Sequence, residues 1–138
     1  MEFKVFEKKD IKLMKNFVDD EKSMYDKTLL KDFLKEKNAY AFIAKDGEMI
    51  AGFAYGYVFL RPDGKRDFYL HAIDVMESYQ GKGVGTGLMR FIVNHSKSTR
   101  CRKLFLITNK GNVSACRCYE KAGGVNPADD DVVYVYKD

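Results

Sequence analysis

The chain has 138 residues and a mass of 15.9 kDa, which predicts one domain over residues 1–138, because cores rarely split below about 250 residues. Apolar residues make up 46% and charged residues 32%, with 3 cysteines, so the composition excludes a disordered chain or a disulfide scaffold and favours the reducing cytoplasm. The net charge of +4 is too small to indicate nucleic acid, and no apolar run is long enough to span a membrane.

The first 37 residues predict one strand and two helices. Residues 3–7 alternate apolar and charged side chains, as a strand does. Asp10 is placed to cap a first helix, and a second helix is predicted over residues 27–37. The side chains expected to face the core recur at helical spacing: Ile11, Met14, Phe17 and Val18 in the first helix, and Leu30, Phe33 and Leu34 in the second.

Three further strands are predicted over residues 39–45, 49–60 and 67–76. Turn signals lie between them, Asp-Gly at 46–47 and Arg-Pro-Asp-Gly at 61–64. These short connections predict antiparallel neighbours.

The pattern changes after residue 76. A glycine-rich stretch, residues 80–87, leads into a helix whose predicted inner side carries Val84, Leu88, Phe91, Ile92 and His95. A short strand follows over residues 103–108. Asn112 is expected to cap a helix that runs to about Lys121 and ends at Gly123-Gly124, before a last strand over residues 132–136.

The strand before the glycines, the helix after them and the strand at 103–108 form a βαβ unit, so those two strands should be parallel. Together with the antiparallel strands they predict a mixed, mostly antiparallel central sheet with helices on both faces. The fold class is therefore α/β or α+β.

The glycine-rich stretch reads Gln-Gly-Lys-Gly-Val-Gly-Thr-Gly from residue 80. Glycines at a helix start let backbone N–H groups approach a phosphate closely. A Walker A loop ends in Gly-Lys-Ser/Thr and is excluded because Lys82 is followed by Gly83. A Rossmann fingerprint is excluded because its sixth position would be Thr86 or Leu88.

The spacing that fits is Gln80, two residues, Gly83, one residue and Gly85. With the strand ending at residues 72–75 and the downstream Asn112, Ala115 and Tyr119, the sequence resembles the GNAT superfamily of acetyl-CoA-dependent N-acetyltransferases. The resemblance implies a splayed pair of parallel strands, acetyl-CoA as co-substrate, and no metal. The residues it implies for binding CoA are Ile73, Asp74, Val75, Gln80, Gly81, Lys82, Gly83, Val84, Gly85, Thr86, Asn112, Ala115 and Tyr119.

The resemblance also implies roles in acetyl transfer. A leaving thiolate, whose thiol has a pKa of about 8.5, benefits from a proton donor, and a phenol with a pKa of about 10 is protonated at neutral pH. Tyr119 is assigned that role, with simple contact to the thiol as the alternative. Asn112 is expected both to cap its helix and to touch the cofactor. A bulge in the strand is expected to turn backbone N–H groups around residues 73–75 toward the thioester oxygen.

The group that takes a proton from the attacking amine is chosen among Asp74, His71 and Glu77. Asp74 is the first choice because a charged side chain inside a strand built for burial needs a reason; a structural ion pair is the alternative. His71 is interpreted as a core residue, and His95 as a helix-face residue without a partner. Simple alternation predicts two strand faces: Leu70, Ala72 and Asp74 on one, and His71, Ile73 and Val75 on the other.

Within the superfamily, the sequence is most similar to the aminoglycoside 3-N-acetyltransferases of the first type. The similarity lies in residues 70–75, in residues 112–124, and in the acidic segment 129–131 that leads into 132–134. This segment and a second acidic cluster, residues 19–21, are expected to hold a polycationic substrate, with solvated loop charges as the alternative. The sequence departs from those enzymes at Ala72, where an acidic residue is expected; the acid is Asp74 instead.

These observations predict a cytoplasmic enzyme that moves an acetyl group directly to a primary amine, of an aminoglycoside or small polyamine first and of a peptide or protein second. A CoA-binding module without catalysis is the main alternative. A nucleic-acid binder is disfavoured because the basic residues at 97–103 lack interleaved aromatic side chains. A homodimer stays an open alternative.

Overall fold

The computed structural model describes residues 1–19, 21–128 and 130–138 of the chain. The strands are β1 (Glu2–Val5), β2 (Ala39–Asp46), β3 (Met49–Leu60), β4 (Arg66–Val75) and β5 (Lys103–Phe105). The α-helices are α1 (Lys27–Lys35), α2 (Val84–Ser98) and α3 (Val113–Lys121), with 3₁₀ helices at Lys8–Met14 and Glu77–Tyr79. Among the described residues, no helix combines the length and apolar character needed to cross a membrane.

The sheet has the strand order β1-β2-β3-β4-β5. Successive strands from β1 to β4 are antiparallel, and β4 and β5 are parallel. The predicted mixed, mostly antiparallel sheet with one parallel pair is confirmed. Because β4 and β5 are parallel neighbours, α2, which connects them, is the crossover helix of the βαβ unit.

Helices cover both faces of the sheet, as predicted. The 3₁₀ helix Lys8–Met14 and α1 cover one face, and α2 and α3 cover the other. Adjacent residues of β2 point to opposite faces of the sheet, and each face has its own group of core residues. Ile43 belongs to the first group, on the α1 side, and Phe42 to the second, on the α2 side. The largest fully buried side chains come from both groups: Phe6, Met14 and Ile43 from the first, and Phe42, Phe68, Leu70, Leu88 and Ile92 from the second.

The prediction for the first helix is wrong in two respects. Glu7, not Asp10, precedes the helix, and the buried Asp10 carboxylate accepts a hydrogen bond from the Glu7 N–H at 2.9 Å. Its other contact is Lys4 Nζ, also at 2.9 Å, which pairs the buried charge. The helix ends at Met14, so Val18 is not on its apolar face but is exposed and bridges to Met24.

Two predictions for the end of the chain are also wrong. The fifth strand stops at Phe105 instead of residue 108. Residues 132–136 form no strand, although their Val and Tyr side chains follow a strand-like pattern. These side chains are 62% to 94% exposed, and a strand needs the hydrogen bonds of a neighbouring strand as well as a favourable pattern.

Candidate functional site

A cleft opens between β4 and β5. The two strands pair only along Asp67–Tyr69 of β4, while β4 continues to Val75. Its last six residues therefore have no partner from β5. The predicted splayed pair is confirmed, and both the glycine-rich stretch and α3 follow these strands in the chain.

A β-bulge lies in β4 beside this cleft. Leu70 pairs with Gly56 and Ala72 pairs with Tyr55, so His71 is an extra residue in β4. The backbones of β3 and β4 approach closely at this bulge. The approach requires glycine at position 56, because a Cβ there would overlap the carbonyl oxygen of Tyr69.

The bulge changes which side chains share a face. Beyond it, Ile73 lies opposite Ala54, on the α2 side with Leu70, while Asp74 lies opposite Phe53, on the α1 side. The prediction that Asp74 shares a face with Leu70 is therefore wrong, as is the grouping of His71 with Ile73 and Val75. The extra residue shifts the alternation by one, which a strict period of two does not anticipate. The shared face of Ala72 and Asp74 is as predicted.

The backbone of β4 offers donors to the cleft. Met76 N–H donates to Ala51 C=O of β3 at 2.8 Å. Because N–H direction alternates along a strand, the N–H groups of Val75 and Ile73 point away from β3, toward the side that β5 leaves open.

The glycine-rich loop has the backbone that close approach to an anion requires. Gly81 and Gly83 have φ of +74° and +81°, backbone angles that residues other than glycine rarely adopt. Gly83 is the N-cap of α2, and the first hydrogen bond of the helix runs from Gly87 N–H to Gly83 C=O at 3.0 Å. The N–H groups of Val84, Gly85 and Thr86 therefore have no acceptor within the helix.

The other two glycines of the stretch serve packing. A Cβ at Gly85 would lie 3.3 Å from Cys118 Sγ of α3, and one at Gly87 would overlap the ring of Phe3. These two positions thus bring α2 close to α3 and to β1. Spacing alone made all four glycines look alike.

Gln80 and Lys82 flank Gly81, the first glycine of the loop. Gln80 Nε2 donates to the C=O of Val75 at 3.0 Å, which ties the loop to the end of β4. Lys82 is exposed, and its Nζ lies 5.9 Å from the centre of the Tyr79 ring. The loop therefore combines N–H donors with an exposed ammonium group, a donor set that fits a diphosphate.

Asn112 caps α3 as predicted. Its side-chain oxygen accepts from Ala115 N–H at 3.3 Å. Asn109, which the sequence analysis missed, accepts from Asn112 N–H at 3.1 Å and fixes the start of the turn. The Asn-x-x-Asn spacing is the signal that could have identified it, because asparagine side chains bond to backbone a few residues on.

Tyr119 lies on α3 and packs against the core beneath α2. Burial, with smaller effects from Cys118, Cys116 and Asp74, raises its pKa to about 12. The phenol is therefore fully protonated at neutral pH.

Tyr119, Asp74 and His71 line one cavity of about 260 Å³. Its complete lining is Asp19, Glu21, Tyr55, His71, Ala72, Ile73, Asp74 and Tyr119. Glu77 is exposed in the 3₁₀ helix after β4 and is not among these residues. The cavity thus brings together two of the three candidate proton acceptors and the candidate proton donor.

The segment after the first 3₁₀ helix contributes the acidic side of the cavity. Asp19 is held by Ser23 N–H at 2.7 Å and by the Tyr25 hydroxyl at 3.0 Å. Burial and this hydrogen bond raise the pKa of Tyr25. Of the two predicted acidic clusters, Asp20 and Asp129 lie outside the described residues, and the cavity receives Asp19 and Glu21 of the first.

Of the two histidines, His71 differs from its predicted environment and His95 matches it. His71 is not in the core: it is exposed at the cavity, with Nδ1 2.9 Å from the Tyr69 hydroxyl. His95 packs against Phe42 and Tyr40, and its buried Nδ1 has no hydrogen-bond partner in the described part of the chain. Burial lowers the pKa of His95.

Comparison with known proteins gives consistent results. Residues 9–124 match the model of the acetyltransferase (GNAT) family. The chain is 30% identical over 89 residues to the mycothiol acetyltransferase of Corynebacterium glutamicum, a match that covers 64% of this chain and 29% of that protein. The chain thus spans under a third of that relative's length.

Two solved structures share the fold over nearly the whole chain. An aminoglycoside acetyltransferase from an uncultured soil metagenomic sample, in complex with sisomicin, has a TM-score of 0.78 at 21% identity and covers 99% of this chain and 95% of its own. An aminoglycoside N-acetyltransferase in complex with CoA has a TM-score of 0.75 at 17% identity, covering 99% of both chains.

Proposed function

The chain belongs to the GNAT acetyltransferase family, and we propose that residues 1–138 form one domain that transfers an acetyl group from acetyl-CoA directly to a primary amine. The observation that carries this proposal is the joint placement of Tyr119 and Asp74 on one cavity beside the cleft between β4 and β5. A module that only binds CoA has no use for a protonated phenol beside a carboxylate.

Acetyl-CoA supplies an acetyl thioester, and the residues of the loop fit its diphosphate. We assign the diphosphate to the N–H groups from Gly81 to Thr86 and to Lys82. Gly81 and Gly83 support this assignment because their positive φ turns the backbone toward the helix start. Gln80 ties the loop to β4, and Asn112 and Ala115 stand at the start of α3.

Each step of the transfer has a candidate group in the protein. The N–H groups of Ile73 and Val75 are oriented to stabilise negative charge on the carbonyl oxygen. Tyr119 is the candidate acid: its hydroxyl donates a hydrogen bond to the sulfur as the C–S bond breaks and the amine nitrogen forms the new C–N bond, and the departing thiolate takes its proton from solvent. Asp74 is the first candidate to hold the ammonium form of the amine and to take its proton.

The cavity favours a substrate with several ammonium groups. Asp19, Glu21 and Asp74 place three carboxylates around one space, and their negative charge attracts cations. Aminoglycosides and small polyamines have this charge pattern, and an aminoglycoside acetyltransferase shares the fold. A first-type 3-N specificity is the finer form of this proposal, with Asp74 replacing the acid expected at position 72. A peptide or protein amine ranks second because the cavity is small and acidic.

The test is release of CoA thiol from acetyl-CoA in the presence of aminoglycosides, polyamines, monoamines and peptides. The proposal predicts thiol release that depends on the amine and is fastest with polycations. Binding of CoA without release by any amine would instead support the binding module.

Matched variants isolate the role of the loop. Gly83→Ala and Gly64→Ala both place a side chain at a positive φ, +81° and +84°, with no atom within 4 Å of the new Cβ. Each therefore costs about 1–2 kcal/mol of backbone strain. Gly83→Ala is expected to weaken CoA binding about tenfold or more, whereas Gly64→Ala, in the turn between β3 and β4, should leave it unchanged. Equal effects would show that the loop is not the binding element.

A further inference from the structure

We propose that His71, held in place by the Tyr69 hydroxyl, takes the proton from the acceptor amine, while Asp74 anchors its ammonium group. The inference rests on the proposed function and deepens it by separating two roles that a single carboxylate would otherwise combine. His71 would be a catalytic residue and Tyr69 a positioning residue.

The bulge is what makes His71 available. Without the extra residue, alternation would put His71 and Asp74 on opposite faces of β4. With it, both lie on the α1 side of the sheet and line the same cavity. The backbone therefore brings an imidazole and a carboxylate together in one cavity. This cavity lies at the part of β4 whose Ile73 and Val75 N–H groups point into the cleft.

The imidazole is held by contacts on its ring and on one nitrogen. The Tyr69 hydroxyl lies 2.9 Å from Nδ1, and the ring centres of Tyr69 and Tyr55 lie 5.6 and 5.4 Å from that of His71. Tyr69 itself packs against Phe59 and Phe105, whose ring centres lie 6.2 and 5.2 Å from that of Tyr69. Because Tyr69 does not line the cavity and occupies Nδ1, the nitrogen left for the substrate is Nε2.

The hydrogen bond decides what Nε2 can do. If Nδ1–H donates to the Tyr69 oxygen, Nε2 carries a lone pair and can accept a proton. When it does, the ammonium N–H bond breaks and its electron pair stays on nitrogen, ready to attack. The imidazolium keeps its bond to Tyr69 and returns the proton to solvent, because the His71 side chain is exposed.

General acid–base chemistry favours this division of roles. A primary amine has a pKa of about 10, an imidazole about 6.5 and a carboxyl group about 4. Proton transfer from an ammonium to imidazole is therefore less unfavourable than transfer to a carboxylate, by about 2.5 pKa units. A carboxylate is better suited to holding the ammonium by charge. The ionisable groups that share the cavity with His71 are Tyr55 on β3, Asp74 on β4, Tyr119 on α3, and Asp19 and Glu21 before α1, with Tyr69 at Nδ1.

The tautomer can be measured without any substrate. The chain has 2 histidines, so ¹H–¹⁵N correlation spectra of the imidazoles contain two sets of signals, which His95→Gln assigns. We expect neutral His71 as the Nδ1–H tautomer and a change in its nitrogen shifts in Tyr69→Phe. The His95 signals should not move in Tyr69→Phe, which also reports that the variant is folded. An Nε2–H tautomer of His71 in the unaltered protein would overturn the inference.

The pH dependence of kcat/KM tests the chemistry. The inference predicts an acid limb that coincides with the titration of His71 followed by NMR. His71→Gln should lower kcat/KM about 100-fold or more at neutral pH and abolish that limb. Asp74→Asn should retain the limb and raise KM, and His95→Gln should change neither.

The possible failures are distinguishable. If none of the amines tested makes the unaltered protein release thiol from acetyl-CoA, the proposed function fails and the inference falls with it. If the protein is active but His71→Gln keeps both rate and acid limb, only the inference is overturned. Loss of the acid limb in Asp74→Asn, with its retention in His71→Gln, would return the proton acceptor role to Asp74.

Discussion

Tyr119→Phe separates an enzyme from a binding module. The substitution removes one hydroxyl and keeps the ring that packs against the core, so both stability and CoA affinity should be nearly unchanged. The pKa of Tyr119 is about 12, about 3.5 units above that of an ordinary thiol. Complete proton transfer to a free thiolate would then cost about 5 kcal/mol, so the phenol acts mainly by hydrogen bonding as charge develops on sulfur. The expected loss lies at the low end for acid catalysis, about 100-fold in kcat.

The assay is thiol release at saturating acetyl-CoA, with CoA affinity measured separately by calorimetry. A matched control is Tyr79→Phe, which removes the hydroxyl that donates to Asp46 at 2.8 Å, away from the cavity. The control should keep full kcat. If Tyr119→Phe keeps full kcat as well, Tyr119 is not the proton donor; if both kcat and CoA affinity collapse, its role is structural.

Three further predictions concern packing, pH response and specificity. Gly87→Ala should lower the free energy of unfolding, measured by urea titration, by about 1–3 kcal/mol because its Cβ overlaps the Phe3 ring. Adding Phe3→Leu to this variant should recover part of the lost stability. An unchanged free energy of unfolding in Gly87→Ala would refute the contact. Burial lowers the pKa of His95, so its contribution to stability is complete above about pH 6.5 and is lost as pH falls below that value. His95→Leu should flatten the stability profile between pH 7.5 and 5.5; an unchanged slope would contradict this. Asp19→Asn should raise KM about tenfold for polycationic amines and little for monoamines, whereas equal effects on both would argue against a polycation site.

The sheet could be predicted because its signals are local. The bounds of β3 match the prediction residue for residue, since turn sequences stand on both sides of a long apolar run. Asn112 likewise identifies the start of α3, because capping depends on one side chain and its nearest backbone.

The face of β4 could not be predicted. It depends on one extra residue, His71, and that bulge depends on the approach of β4 to Gly56, fifteen residues earlier in the chain. The same non-local dependence explains residues 132–136, whose pattern suits a strand that the sheet does not include. In the glycine-rich loop, spacing marked the stretch that we propose for the diphosphate, but only the structure separates Gly81 and Gly83, which turn the backbone, from Gly85 and Gly87, which permit packing.

The central claim is that backbone N–H groups at the start of α2 hold the diphosphate of CoA. It is tested most directly by amide ¹H–¹⁵N spectra recorded with CoA and, separately, with pantetheine, which lacks the diphosphate. The account predicts that CoA shifts the amide signals of Val84, Gly85 and Thr86 and that pantetheine leaves them in place. Unchanged signals with CoA, or equal shifts with both compounds, would contradict it.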